Sequence, residues 1–384
     1  VTTAPHLLHV FSNFVPSGPE LRTVALIAAF GADFRHSIVS MDGRTSAALR
    51  LPQGAAVRLL DNPPKAGSLK TAGRLRSLLR RERPDLLLTY GWGAIDALLA
   101  AASLGYRRVL HHEEGFNADE SESYKKRRIL ARRLLLPRAH RVVVPSERLE
   151  RVAIGLWRLS PRRVRLIPNG IRLDAYLPAD SNPELRRQLG IPLDVPVVGS
   201  CGHLRPVKNY LRLLEAVAAT HAQPGRQDLH VLLVGEGEER AALSARAARP
   251  DLAGRVHLVG YQAAPAPFYR AMDLFALTSD SEQMPVCLLE AMAASLPVVA
   301  TDVGDVRAML PPEQWNLLVP LSPSTDVPPE EVPKQLAAHF DTILNDDAAG
   351  HRLGLANRRR VAASYTFDAM CTAYRDLYEE ALCA

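Results

Sequence analysis

Two carboxylates, Glu282 and Glu290, stand eight residues apart in the stretch SEQMPVCLLEAMAASLPVVATDVGDV, residues 281–306. A carboxylate accepts two hydrogen bonds at once, which suits vicinal hydroxyls such as those of a ribose or a hexose. Pro285, between them, fits the first turn of a helix, where its missing N–H costs nothing. Glu282 then lies in the preceding loop and Glu290 about one turn inside the helix. The amides of Val286 and Cys287 fall between the two, aimed at an anion that is worth roughly 0.3–2 kcal/mol to the helix dipole. Sugar, phosphate, ribose is the implied order of ligand groups. The plainer reading of the same spacing is an amphipathic helix with two exposed glutamates.

A second constellation lies upstream. The run VPVVGSCG leads into GHLRPVKNYLRLLEAV, which sets a glycine turn, Arg205 and Lys208 ahead of a helix. Backbone amides, dipole and side chains there all favour one anion, such as a diphosphate; the competing reading is a solvated basic loop. VGEGEER, residues 234–240, resembles part of a dinucleotide fingerprint, but Arg240 occupies the third glycine's place, so it reads as a tight strand-to-helix turn and not as a NAD site. No DxD motif is present, and Cys201, Cys287, Cys371 and Cys383 have no metal-ligand spacing. Neither a metal nor a cofactor is expected, and the cysteines read as reduced, buried thiols.

The elements that must position these residues follow from the apolar runs. HLLHVF, HSIVSM, DLLLTY, RRVLHH and HRVVVPS read as strands, with helices over 68–82 and 122–136. A second series, VPVVGSCG, HVLLVGEG, RVHLVG, DLFALTS and LPVVATD, repeats the alternation. Each predicts a parallel sheet covered on both faces, with ligands beyond the carboxyl ends of the strands. At 384 residues the chain is too long for one core. The division expected is 1–172, a Pro- and Asp-rich linker over 173–195, a second domain over 196–365 and a final helix from 366 to 384. VPLSPSTDVPPEEVP, residues 319–333, reads as a surface loop.

Charge is divided unevenly. Residues 1–172 hold 29 Lys+Arg against 14 Asp+Glu, and the remainder holds 18 against 27. A basic half joined to an acidic half points to an anionic surface for the first, either nucleic acid or phospholipid. No zinc-finger spacing, aromatic ribonucleoprotein motif or helix-turn-helix pattern supports nucleic acid, which leaves anionic lipid. SYKKRRILARRLLLPR, residues 123–138, concentrates six cations before Arg138, but these scatter around the helical wheel. No apolar run approaches a membrane span, and VTTAPHLLHV lacks the pattern of a signal peptide, so a cytoplasmic location is expected, with peripheral attachment at the inner face of a membrane open. An aromatic content of 6% argues against a module built on stacked rings.

Glu282, seven residues, Glu290 and AMAASLPVVATDVGDV together resemble the signature of retaining GT-B glycosyltransferases of the large group 1, family 4 type, which includes bacterial mannosyl- and glucosyltransferases and sucrose-phosphate synthase. VRLIPNGIRLDAY, GHLRPVKN, LLVGEGEER and VHLVGY follow the family's order, so the likeness covers most of 140–320. The resemblance implies two Rossmann-like doubly wound domains facing across a cleft. It implies that Lys208 binds the donor diphosphate, Glu282 the donor sugar and Glu290 the ribose, and that the last helix crosses back to the first domain. Two departures stand out. His203 follows Gly202 where relatives carry arginine, so Arg205 supplies that charge, and Gln283-Met284-Pro285 replaces Gly-Phe-Gly.

In the first half SGPE, residues 17–20, resembles the family's Gly-Gly-x-Glu loop, which maps its phosphate-approaching glycine on Gly18. RVLHHEEGF stands where relatives end a strand in a histidine near the reacting sugar; His111 takes that place, or Glu114 if the Glu-His-Gly version applies. The resulting expectation is a metal-independent, retaining enzyme. It moves a hexose from a nucleotide sugar, a UDP-sugar in preference to a GDP-sugar, to a glycan or lipid-linked hydroxyl acceptor. A nucleotide-sugar epimerase on the same fold and a catalytically inactive membrane-surface binding protein are the rival readings.

Overall fold

The computed structural model describes residues 4–61, 67–115, 125–178, 182–221, 228–321 and 327–384. They form two compact units, one from Val1–Asn169 with Met370–Ala384 and the other from Gly170–Ala369. No helix among the described residues is long and apolar enough to cross a membrane.

The first unit is a seven-stranded parallel sheet in the order β3-β2-β1-β4-β5-β6-β7. Its strands are β1 His6–Phe11, β2 Arg35–Ser40, β3 Val57–Leu60, β4 Leu86–Tyr90, β5 Val109–His112, β6 Arg141–Val144 and β7 Val164–Leu166. β1 and β4 are buried along their whole length, as strands covered on both faces must be. β3 and β7, the two edges, are short and partly exposed. That is why no continuous apolar run marks them in the sequence. Helix Ser68–Glu82 coincides with the expected span; the helix expected over 122–136 is Lys126–Leu135, and residues 116–124 lie outside the described ones.

The second unit repeats the order with six parallel strands, β10-β9-β8-β11-β12-β13. They are β8 Val197–Cys201, β9 His230–Val234, β10 Val256–Leu258, β11 Leu274–Leu277, β12 Val298–Asp302 and β13 Leu318–Pro320. β13 corrects the surface-loop reading of 319–333: Val319 is fully buried and pairs with Thr301, and Pro320 is tolerated because the strand is an edge. Residues 322–326 of that stretch lie outside the described ones. In each sheet the order reverses once, between β1 and β4 and between β8 and β11, and these switch points open crevices at the strands' carboxyl ends.

The stretch read as a linker is built into the second unit. It holds helix Pro183–Gln188, capped by Asn182, whose side chain accepts from the Leu185 amide at 3.2 Å. Tyr176 and Ile191 join the hydrophobic core, and the buried Arg186 pairs with Asp273 at 2.8 Å. The Pro and Asp residues between these anchors punctuate the chain without detaching it. At the other end, helix Phe367–Leu382 lays Tyr374 and Tyr378 into the first unit, with the Tyr378 ring against Phe30 at 5.8 Å and Phe34 at 5.9 Å.

Where β5 ends, the first unit buries an ion pair. Glu113 and Arg132 meet at 2.7 Å with essentially no exposure, and the guanidinium lies over Trp92 at 5.1 Å and Trp157 at 4.9 Å. Burial alone would push the Glu113 carboxyl up. The nearby His111 imidazole and the Arg132 charge outweigh it and hold the pKa below its ordinary value.

Breaking a buried pair costs about 3–5 kcal/mol, so Glu113→Ala should lower stability by that order in denaturant unfolding at neutral pH. Because the native pKa is depressed, the parent's advantage should vanish as pH falls from about 4.5 through the native value. Equal stability of parent and variant at neutral pH would show that the pair contributes nothing.

Candidate functional site

The crevice of the second unit is shaped by backbone contacts that only glycine allows. β8 ends in Cys201, and Gly202 follows at φ 152°. A Cβ on Gly235, after β9, would lie 1.9 Å from the Gly202 carbonyl oxygen, and one on Gly237 2.5 Å from that of Leu204. This close packing of two strand-end loops is what VGEGEER encodes, as the tight-turn reading expects.

Beyond Gly202 the chain makes a short 3-10 turn, Pro206–Lys208, and Asn209 takes a left-handed conformation at φ 46°. The Asn209 side chain accepts from the Arg212 amide at 3.2 Å at the start of helix Tyr210–His221, and it also donates to Asp280 at 3.2 Å. Arg212 pairs with Asp280 at 2.7 Å, and the Asp280 amide donates to the Val207 carbonyl at 2.8 Å. These bonds stitch the loop after β8 to the loop after β11. The stitching places the Lys208 ammonium 2.5 Å from Glu282 Oε1, where Ser279 Oγ also donates at 2.7 Å. Burial works against the Lys208 ammonium. The Glu282 carboxylate more than offsets it, and the pKa is raised.

Gly304, after β12, braces the same loop from the far side. Its φ is 60°, a Cβ there would fall 2.4 Å from the Glu282 carbonyl oxygen, and the next amide, Asp305, donates to Gln283 at 3.0 Å. Pro285 caps helix Val286–Ala293 instead of occupying its first turn, one residue earlier than expected. Val286 and Cys287 then supply the first N–H groups, which have no acceptor within the helix.

Glu290 lies one turn in, half-buried, and each of its oxygens takes a tyrosine hydroxyl: Tyr176 at 2.7 Å on Oε1 and Tyr269 at 2.6 Å on Oε2. Two hydroxyls, one on each oxygen, is the bidentate pattern that a vicinal diol would present. Each oxygen keeps a further lone pair. Burial raises the Glu290 pKa against the opposing effect of those two bonds. Burial likewise pushes the Cys287 thiol up to about 12, which keeps it protonated. The four cysteines are free, but Cys383 is exposed and the other three only half-buried, which corrects the expectation of buried thiols. His203 and Arg205 are exposed; burial and the Arg205 charge lower the His203 pKa, and the Arg205 guanidinium has no ion-pair partner among the described residues.

Gly202, His203, Arg205, Lys208, Glu282, Val286, Cys287 and Glu290 thus gather at the carboxyl end of the second sheet. Gly18, His111 and Glu114 belong to the first unit. Gly18 opens helix Gly18–Phe30 in an ordinary conformation, exposed, with nothing within 4 Å of a Cβ. His111 is fully buried and bonded through Nδ1 to Thr89 Oγ1 at 2.7 Å. The Glu114 carboxylate is ion-paired to Arg22, which also donates to Asn169 at 2.9 Å and lies over the Tyr374 ring. Reading the sequence missed Arg22, Tyr176, Tyr269 and Ser279. Tyr176 was hidden in the supposed linker, and the others stand at no spacing that marks a ligand.

Residues 16–175 match the family described as Glycosyltransferase Family 4, and residues 195–346 the family described as Glycosyl transferases group 1. A D-inositol 3-phosphate glycosyltransferase of Kineococcus radiotolerans is 29% identical over 273 residues, covering 66% of this chain and 60% of that protein. The lipopolysaccharide core biosynthesis glycosyltransferase LpsE of Rhizobium meliloti is 28% identical over 228 residues, 59% of this chain and 60% of that protein. The chain thus spans about 60% of the length of these relatives. Among solved structures, Anabaena Alr3699/HepE in complex with UDP superposes with a TM-score of 0.80 at 19% identity, over 98% of this chain and 100% of that one. With its two Rossmann-like sheets and both matched domains in order, the chain belongs to the group 1 glycosyltransferases of GT-B fold.

Proposed function

We propose that this protein transfers a hexose from a nucleotide sugar, a UDP-sugar in preference to a GDP-sugar, to a hydroxyl acceptor with retention of configuration and without a metal ion. The observation that carries the reading is the Lys208–Glu282 pair, set beside the first amides of helix Val286–Ala293 and followed one turn later by Glu290. The charged Lys208 ammonium and Arg205, which has no ion-pair partner among the described residues, suit a diphosphate; once the diphosphate draws Lys208, the Glu282 oxygens are released to sugar hydroxyls. HepE is described in complex with UDP and with UDP and glucose, which supports a uridine donor.

Transfer builds positive charge on the anomeric carbon and negative charge on the departing diphosphate. Fixed cations and helix amides stabilise the second without reorganisation. The leaving phosphate takes the acceptor's proton on the same face. Residues 196–365 hold the donor and residues 1–172 the acceptor, near His111 and Glu114. The name of LpsE supports a lipid-linked or surface polysaccharide acceptor.

Helix Lys126–Leu135 supports attachment to an anionic membrane surface. The inward cations are engaged within the unit: Arg128 lies over Trp92 at 5.2 Å and Arg133 donates to the Leu156 carbonyl at 3.0 Å. The outward side shows Leu130 and Leu134, 58% and 55% exposed, framed by Lys126, Arg127 and Arg138. Apolar side chains among cations fit the interface of an anionic bilayer.

Lys208→Ala should weaken UDP binding by about ten- to a hundredfold, the loss of a charge-assisted contact of roughly 1.5–3 kcal/mol. Calorimetry measures it, and an unchanged dissociation constant would remove Lys208 from the donor site.

The two glutamates should differ in kind. Glu282→Gln should spare UDP binding and depress turnover, whereas Glu290→Gln should weaken UDP itself. The raised native pKa of Glu290 means that its contribution to stability is present below about 4.5 and lost as pH rises through the native value. Glu290→Gln should therefore melt at or above the parent at pH near 8, where the buried charge is removed. Parent-like UDP binding by both variants would defeat the ribose assignment.

Sedimentation with phosphatidylglycerol vesicles should show binding that weakens as salt shortens the Debye length to a few Å. Leu134→Glu and Arg127→Glu should each reduce it. Vesicle binding that is absent, or indifferent to salt and lipid charge, would favour a soluble acceptor.

A further inference from the structure

On the second unit, away from the loops that carry Lys208 and Glu282, a recess of about 460 Å³ lies between the short turn Pro312–Leu317 and helix Asp347–Ser364. Gln314 accepts from the Val298 amide at 3.0 Å, which fixes the turn at the amino end of β12, the opposite rim from the donor crevice. Gln314 and Asn357, both without exposure, are hydrogen-bonded to each other, and Asn357 also donates to the Leu296 carbonyl at 2.7 Å. The two walls are therefore cross-linked by buried amides and cannot drift apart cheaply.

One wall presents Trp315. Its indole is 41% exposed, yet its Nε1–H donates to the Arg307 carbonyl at 2.9 Å and the Arg307 guanidinium covers the ring at 5.5 Å. A large apolar ring thus stands in solvent with its orientation locked. Facing the same recess are Arg359 and Glu313, both exposed and neither with a hydrogen-bond or ion-pair partner among the described residues. Arg360, by contrast, is fastened to the Ala308 carbonyl at 3.0 Å, and Arg307 is paired with Asp302 at 2.6 Å.

We propose that this recess is a second saccharide-binding site, separate from the donor crevice, that takes sugar units of an oligosaccharide. A pyranose has a C–H face that packs on an immobile ring and an edge of hydroxyls that both donate and accept. Trp315 supplies the face, Arg359 the donors and Glu313 the acceptor. Arg360 lines the recess as well, so its lining carries two guanidiniums against one carboxylate. Pro311 and Pro312 also line it, but a proline-rich peptide needs an aromatic-lined groove, and Trp315 is the sole aromatic among the described lining residues. Such a site would grip a growing glycan at a distance from the reacting end and raise its effective concentration. That role rests on the reading of the chain as a glycan-building transferase; binding itself does not.

Trp315 is the exposed one of three tryptophans, since Trp157 is buried and Trp92 half-buried, so acrylamide quenching of fluorescence reports on it. The full chain is titrated with cellohexaose, maltohexaose and mannohexaose at millimolar concentration, with decaproline as the peptide probe. At least one hexasaccharide should protect Trp315 from acrylamide. Calorimetric affinity for that sugar should fall about tenfold or more in Trp315→Ala and in Arg359→Ala. UDP affinity, measured on the same samples, should stay at the parent value and so separates failure of this site from failure of the donor reading. Glu313→Gln, which alters one surface atom, guards against a folding defect and should also weaken the sugar. No protection by any hexasaccharide, protection by decaproline alone, or undiminished sugar binding by all three variants would overturn the proposal.

Discussion

The contact between the Lys208 ammonium and the Glu282 carboxylate is the constraint on which the carboxyl-end loops of the second unit converge. Neither charge is well solvated there, so each needs the other, and they meet only if the loops after β8 and β11 stay in register. The left-handed Asn209, the Asp280 contacts with Asn209 and Arg212, and the approach of Gly304 to the Glu282 backbone all act on that register. The pair also keeps the crevice polar.

Two acids, one in each unit, show opposite solutions to burial. Glu113 faces a guanidinium sandwiched between indoles and stays ionised more readily than a free carboxyl. Glu290 faces two neutral hydroxyls, which satisfy its lone pairs but supply no compensating charge, and its pKa rises. The first arrangement ties the end of β5 to helix Lys126–Leu135. The second leaves a carboxylate costly to the empty protein and well suited to further hydroxyl donors, and a cost relieved by a ligand is what a binding site requires.

Much of this was legible in the letters. Central parallel strands are buried on both faces, so β1, β4, β8 and β11 announce themselves by short, mainly apolar runs, and the glycine and proline punctuation locates the loops at their ends. Of the edge strands, β10 was read from RVHLVG, whereas β3 and β7 carry no such run and β13 was masked by the Pro- and Ser-rich residues beside it. Lys208, Glu282 and Glu290 could be singled out because each stands in a strand-loop-helix segment that spacing reveals, Lys208 after β8 and the two glutamates after β11. Tyr176 and Tyr269 were not, because they reach Glu290 from positions 114 and 21 residues away through tertiary packing alone. His111 and Glu114 could be placed at a strand end, but their partners Thr89 and Arg22 come from other elements, and no local pattern reveals whether such a side chain is tethered.

Helix Phe367–Leu382 begins among residues of the second unit and from Met370 onward packs with the first. Tyr374 and Tyr378, which close over Phe30, Phe34 and His112, are therefore synthesised after the intervening 200 residues of Gly170–Ala369. Domains generally mature in the order in which they leave the ribosome, but here the unit translated first cannot finish its core until the second has emerged. The nascent first sheet must wait with an apolar flank uncovered, so the later-made unit is the one able to complete itself first.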